Sequence, residues 1–73
     1  MNLAMTVVLL GMSRGERTQM SPAVQRELIA RQWIVTVPLI PTLHEITDAG
    51  RSALATSPFL GQARLKADER WRR

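Results

Sequence analysis

Two basic side chains in the middle of the chain are of the type that binds nucleic acid. Arg26 and Arg31 lie in the segment SPAVQRELIAR, residues 21–31. Arginine forms hydrogen bonds to phosphate groups and to base edges. The alternative is an ordinary solvated helix face on which Glu27 is a local partner for the arginines. The sequence leaves both interpretations open.

A second group of basic residues lies near the C-terminal end. Residues 58–73 have five basic and two acidic side chains, a net charge of +3, whereas residues 1–57 have five and four, a net charge of +1. Such a tail could bind a polyanion, with Trp71 stacking on a base. The alternative is a solubilising terminus with Trp71 docked on the domain. The candidate nucleic-acid-binding residues of this tail are Arg64, Lys66, Arg70, Arg72 and Arg73.

Residues that could perform catalysis or hold a metal are sparse. The chain has no cysteine and a single histidine, His44. Disulfides, thiolate metal sites and histidine clusters are therefore excluded, and no phosphate-binding loop motif follows Gly11 or Gly15. We expect no metal, no cofactor and no enzymatic activity. The absence of cysteine fits a reducing compartment, so we expect a cytoplasmic protein.

The first half of the chain predicts two helices. Residues 1–13 have no charged side chain, and their apolar spacing predicts a helix over about residues 2–13, although Val7 and Val8 leave a strand open. This run is too short to span a bilayer. Ser21 and Pro22 have the types of an N-cap and first helical residue.

The second helix should end near Gln32, which stands where glycine is common, with Trp33 as the apolar residue that folds back. A short strand over residues 18–20 is also open. Residues 34–37 and 43–46 then predict the two strands of a hairpin, with Leu39 and Ile40 at its tip between two prolines.

The rest of the chain predicts a third helix, followed by a tail for which two alternatives stay open. Thr47 has the type of an N-cap, and the inward-facing residues of the helix it begins should be Ala49, Ala53 and Leu54. The helix should end at Ser57-Pro58. The tail has alanine or tryptophan at four-residue spacing, so it forms a short helix on the domain or remains mobile.

Two stretches of the chain contain recognisable motifs. Residues 28–34 (LIARQWI) are similar to the pattern L-x-x-R-G followed by two hydrophobic residues, and residues 46–54 (ITDAGRSAL) fit the pattern L/I-T-x-x-G-R-x-x-L. In this order they resemble the end of the recognition helix and the exit from the wing in winged helix-turn-helix regulators of the multiple-antibiotic-resistance regulator type. The resemblance covers about residues 20–56. It implies that residues 21–31 are the recognition helix, with Gln25 and Arg26 near the major groove. It also implies that residues 36–43 are the wing, near the DNA backbone or minor groove.

The chain departs from that family pattern in three ways. Gln32 replaces the usual glycine, and the wing tip has no arginine or lysine. Only about 20 residues precede the recognition helix, so the helix that normally supports it is missing or merged with the first. We expect an α+β fold: a small winged-helix-like domain with one β-hairpin at residues 1–57, and a basic tail at residues 58–73.

Two functions fit these features, and fold alone does not choose between them. The first, slightly favoured by the resemblance, is a small nucleic-acid-binding protein such as a transcriptional regulator, with DNA as its partner. The second is an accessory or inhibitor protein of a phage or other mobile element, of the anti-host-defence type, which binds a host protein. The nearly neutral domain and the apolar wing tip favour the second.

Association is expected in either case. A chain of 73 residues buries only about 60% of its unfolded surface and has no disulfide or metal to stabilise it. We therefore predict a homodimer through residues 3–12 or a partner-bound state, and no membrane association. The candidate interface residues are Leu3, Val7, Val8, Trp33, Leu39 and Ile40.

Overall fold

The computed structural model describes residues 1–16 and 19–71, except the side chains of residues 41, 42 and 68–71. Within these residues the fold has four helices and one antiparallel hairpin, which confirms the α+β class and is consistent with a small winged-helix-like domain. None of the described helices is long and apolar enough to cross a membrane. The elements are α1 Leu3–Ser13, α2 Pro22–Ala30, β1 Ile34–Val37, β2 Ile40–Ile46, α3 Asp48–Ala55 and α4 Leu60–Trp71.

Helix α1 is the central element of the core, and the strand alternative for this segment is wrong. The side chain of Asn2 caps it by accepting a hydrogen bond from the Met5 N–H at 2.9 Å. Helices α3 and α4 pack against it. Because they cover it, Val8 is only 5% exposed and lies in the chain's own core rather than on a free interface. The buried hydrophobic residues are Met5, Val8, Leu9, Leu10, Leu28, Ile34, Leu54 and Ala63.

A chain of hydrogen bonds ties the start of α1 to the turn between α3 and α4. The Thr6 hydroxyl donates to the Asn2 carbonyl oxygen at 2.9 Å, so the Ser57 hydroxyl donates to Thr6 Oγ1 at 2.8 Å. Ser57 Oγ in turn accepts from the Phe59 N–H at 3.2 Å. Both hydroxyl side chains are buried, and these bonds satisfy them.

Helix α2 begins and ends as predicted. Ser21 Oγ accepts from the Val24 N–H at 3.3 Å. Gln32 adopts a φ of +60°, and the Trp33 N–H donates to the Leu28 carbonyl oxygen at 3.0 Å. This is the Schellman arrangement, here with glutamine in the left-handed position that glycine usually occupies. Only Leu28 of α2 is buried, so most of the helix surface faces solvent.

The hairpin differs from the prediction at its tip. Strand β2 begins at Ile40 rather than Leu43, and the turn is formed by Pro38 and Leu39. Proline is favoured at the second position of such a turn, and a two-stranded sheet has only edge strands, on which Pro41 is tolerated. Ile40 is therefore a strand residue paired with Val37, not a tip residue.

The strand register shifts near the tip. Ile34 pairs with Ile46, and Thr36 with His44, but the next β1 residue, Val37, pairs with Ile40. Residues 41–43 of β2 therefore have no partner in β1. Such an irregularity leaves main-chain groups of the longer strand outside the ladder.

Helix α3 begins at the predicted cap, and α4 is the helical alternative for the tail. Thr47 Oγ1 accepts from the Gly50 N–H at 3.0 Å, and Leu54 is buried. Ala49 is exposed, so its predicted inward position is wrong; Gly50 faces the core instead. Helix α4 packs along α1 and buries Ala63 completely. Gln19 and Met20 are not in a strand, and Thr18 lies outside the described residues.

Candidate functional site

The hairpin exposes several large apolar side chains. Alternation along β1 turns Ile34 into the core and Val35 outward, where 48% of it is exposed. Leu43 of β2 is 44% exposed, Ile40 is 49% exposed, and Leu39 in the turn is 92% exposed. We call Val35, Leu39, Ile40 and Leu43 the hairpin patch. Four of the six large exposed hydrophobic side chains in the described part of the chain belong to it.

The hairpin has almost no charge. Residues 34–46 include no lysine or arginine, and Glu45 is their only acidic residue. Glu45 pairs with Val35 in the strand register. A wing that contacts a nucleic-acid backbone needs cations to neutralise phosphates. This hairpin cannot supply them.

The inner face of the hairpin is attached to α2. Gln25 Nε2 lies 3.1 Å from His44 Nε2, and both side chains are partly buried. An amide nitrogen only donates, so with the amide in this orientation the imidazole nitrogen accepts the hydrogen bond. Gln25, a predicted nucleic-acid-binding residue, therefore holds the hairpin against the helix.

Arg31 is also engaged within the fold. Its Nε lies 3.4 Å from Glu27 Oε2, and its guanidinium lies 5.0 Å from the centroid of the Trp33 ring. The ion pair is exposed on both sides, so it adds little stability. For Arg31 the structure matches the alternative of a solvated helix face with Glu27 as its partner. Trp33, a predicted interface residue, is half-buried beneath this arginine.

Besides Arg31, three of the predicted nucleic-acid-binding residues are exposed cations, and these three have no ion-pair partner among the described residues. Arg26 lies on the outer face of α2, and Arg64 and Lys66 lie on α4. The side chain of Arg70, and all of Arg72 and Arg73, lie outside the described residues. The three located cations stand on two separate helices.

The α1 residues of the predicted interface lie beside a groove. Leu3 and Val7 are half-buried and line a cavity of about 890 Å³ between α1, α4 and the start of α2. Four other apolar residues of α1, Met5, Val8, Leu9 and Leu10, are buried within the chain, so the reason for predicting a dimer through residues 3–12 is weaker than the sequence indicated. The dimer itself stays a prediction.

Two members of the hairpin patch, Val35 and Leu43, were missed by the sequence analysis. The signal was present, because alternating strand residues face opposite sides of a sheet and Ile34 is the stronger core residue. Applying that alternation to both strands would have placed Val35 and Leu43 outward. Leu39 and Ile40 were predicted as contact residues, and the structure places them in the same patch.

The described residues include no group of three or more histidine, aspartate or glutamate side chains placed to hold a metal. The chain matches no protein-family model, and comparisons with curated proteins and with solved structures found no significant match.

Proposed function

We propose that this chain is a small protein-binding module that docks through its hairpin patch onto an apolar surface of a partner protein. The observation that carries the proposal is the exposure of Val35, Leu39, Ile40 and Leu43 on a hairpin without lysine or arginine. Large exposed apolar side chains concentrated on one element of a small protein are typical of an interaction site. Covering it gains about 25 cal/mol for each Å² removed from water.

The hairpin is held in place before any partner binds. On the inner side of the hairpin, the Gln25 side chain of α2 forms a hydrogen bond with the His44 side chain of β2. At its base, Thr47 donates both its hydroxyl and its N–H to the residues that precede β1. A contact surface that is already ordered loses less conformational entropy on binding, so more of the burial free energy appears as affinity.

The main chain of β2 offers a second type of contact. Residues 41–43 have no partner in β1, and β2 borders no third strand among the described residues. An unpaired edge can accept a strand from another protein, with main-chain hydrogen bonds giving affinity and side-chain pockets giving specificity. The partner we propose presents an apolar surface, with or without an added strand.

We further propose that the protein is non-catalytic and acts in the cytoplasm, since a chain without cysteine fits a reducing compartment. The partner surface should be neutral or weakly basic, because Glu45 is the only acidic side chain on the hairpin. A role as an accessory or inhibitor protein of a phage or other mobile element fits such a module.

The test compares what the chain captures from nuclease-treated lysate of its source cells. The variant Leu39→Ser with Ile40→Ser removes the most exposed part of the hairpin patch. Leu65→Ser is the matched control, because Leu65 is also exposed and apolar but lies on α4. We expect the double variant to lose about tenfold or more of the specific partner, and the control to retain it. Equal capture by the double variant contradicts the proposal.

A second candidate function is nucleic-acid binding through α2. The observation that favours it is Arg26, which is exposed on the outer face of α2 without an ion-pair partner among the described residues. The winged-helix resemblance would place that face in a major groove. Arg64 and Lys66 on α4 would add phosphate contacts. The absence of cations from the hairpin makes this the weaker candidate.

A further inference from the structure

A small open pocket lies on the chain where α1, α3 and α4 meet. It has a volume of about 450 Å³, and no hairpin residue is among its described lining. Leucines from all three helices supply its apolar surface. The lining residues that matter are Leu10, Ser13, Arg51, Leu54, Leu60 and Arg64.

Two arginines from different helices line this pocket together. Arg51 belongs to α3 and Arg64 to α4, and both are exposed. Neither has an acidic partner within 4.0 Å among the described residues, and the described lining includes no aspartate or glutamate. Two positive charges on one small pocket repel each other, and an anion between them would convert that repulsion into attraction.

The neutral groups of the pocket indicate what type of anion fits. The Ser13 hydroxyl donates to the Leu10 carbonyl oxygen at 2.7 Å, so its proton is already used within α1. The remaining neutral surface consists of Leu10, Leu54, Leu60 and a small residue of α3. A free phosphate would leave that apolar surface uncovered. A carboxylate attached to a hydrocarbon group would satisfy the arginines and cover the leucines at the same time.

We propose that this pocket binds an aliphatic carboxylate. The carboxylate oxygens pair with the guanidinium groups of Arg51 and Arg64, and the hydrocarbon part contacts Leu54 and Leu60. The volume lies within the range of pockets that take small ligands, roughly 300–1,000 Å³. The carboxylate comes either from a free small acid or from the C-terminus of a peptide. This site goes beyond the proposed hairpin function, and neither depends on the other.

The experiment is a titration of the full chain followed by NMR, with signals assigned for the arginine Nε–H groups and the leucine methyl groups. The probes are isovalerate, a leucine-terminated dipeptide with a free carboxylate, the same dipeptide as its amide, and inorganic phosphate. We expect isovalerate, the free dipeptide or both to shift the signals of Arg51, Arg64 and Leu60 in a saturable manner. The probe that binds more tightly identifies the source of the carboxylate. The amide should cause no such shifts.

Variants separate the pocket from general charge effects. Arg51→Gln and Arg64→Gln should each weaken the binding of the acid by about tenfold, since a charge-assisted hydrogen bond is lost. Arg26→Gln, which removes one positive charge on α2, should leave the affinity unchanged. The exposed positions of all three arginines keep the variants folded, which their amide spectra verify. The proposal is overturned if the amide binds as well as the acid, if only phosphate binds, or if Arg26→Gln weakens binding equally.

Discussion

The Thr47 hydroxyl donates a hydrogen bond to the carbonyl oxygen of Gln32 at 2.7 Å, and this bond joins the two ends of the hairpin. The Thr47 N–H also donates to the Trp33 carbonyl oxygen at 2.9 Å, and Thr47 Oγ1 accepts from the Gly50 N–H. One residue therefore closes the base of the hairpin and caps α3. The direction of the hairpin patch relative to the core is set at this point.

Loss of the Thr47 hydroxyl should destabilise the fold. Thr47→Val keeps the shape of the side chain but removes both the cap of α3 and the bond to Gln32, which should cost about 1–3 kcal/mol in the free energy of unfolding. Thr56→Val is the control, because the Thr56 hydroxyl is exposed and bonds only within the last turn of α3. Urea denaturation of both variants measures the difference. Equal stabilities would show that the base of the hairpin is held by other contacts.

The two glycines in α3 and α4 should respond to alanine in opposite directions. A methyl group on Gly50 would overlap the main-chain carbonyl oxygen of Trp33 and crowd Ile46, so Gly50→Ala should cost about 3 kcal/mol or more. Gly61 has open space around it in α4, so Gly61→Ala should stabilise by about 0.5–1 kcal/mol. Thermal unfolding of the two variants checks this. A Gly50→Ala protein as stable as the parent would contradict the close approach of α3 to Trp33.

Gln32 is strained, and glycine should relieve that strain. Its φ of +60° is unfavourable for a side chain with a Cβ atom. Gln32→Gly should raise the free energy of unfolding by about 0.5–1 kcal/mol, whereas Gln32→Ala keeps the Cβ atom and should gain nothing. The Thr47 hydroxyl donates to the main-chain oxygen of residue 32, which the parent and both variants share, so this hydrogen bond is available in all three proteins. A gain with alanine as large as with glycine would show that the left-handed conformation is not its source.

Local signals explain most of what the sequence predicted correctly. The start of α2 follows from Ser21 and Pro22, its left-handed end from Gln32 beside Trp33, and the start of α3 from Thr47. Each of these depends on hydrogen bonds between residues close in the chain, so the residue types themselves carry the information. The apolar character of Leu39 and Ile40 was likewise visible from the residue types alone.

Contacts between distant segments explain what the sequence left open. Val8 was assigned to an interface because nothing in residues 1–13 shows that α4 will cover them; only Ala63 and Ala67, packed on the core, reveal it. The extent of β2 depends on a register shift, which no local pattern specified. The bond between Gln25 and His44 and the pocket shared by Arg51 and Arg64 likewise exist only once the helices are packed.

Duplex DNA binding should be weak and without sequence preference if the hairpin is a protein contact. Titration of labelled duplexes at two salt concentrations measures this, because each phosphate contact adds nearly one unit to the salt slope. Arg26→Ala should leave any binding almost unchanged. A sequence preference that Arg26→Ala reduces by about 1–3 kcal/mol would instead support the nucleic-acid candidate.

The contribution of α4 to duplex binding is best tested without shortening the chain. Ala63 is completely buried, so removing residues 62–73 would open the core together with the charge. Arg64→Gln with Lys66→Gln removes two exposed cations and should preserve the fold. This variant should flatten the salt dependence for all duplexes alike if the α4 cations contact phosphates.

Site-specific photo-crosslinking in the source cells tests the hairpin contact most directly. A photoreactive residue replaces Leu39 in one protein and Gln62 in the control, since both positions are exposed but only Leu39 belongs to the hairpin patch. We predict that position 39 gives one discrete adduct with another protein, whereas position 62 gives none. Nuclease treatment should leave the adduct at position 39 unchanged, and Val35→Thr should reduce its amount. No adduct at position 39, an adduct with a second copy of the chain, or one that disappears with nuclease would contradict the account.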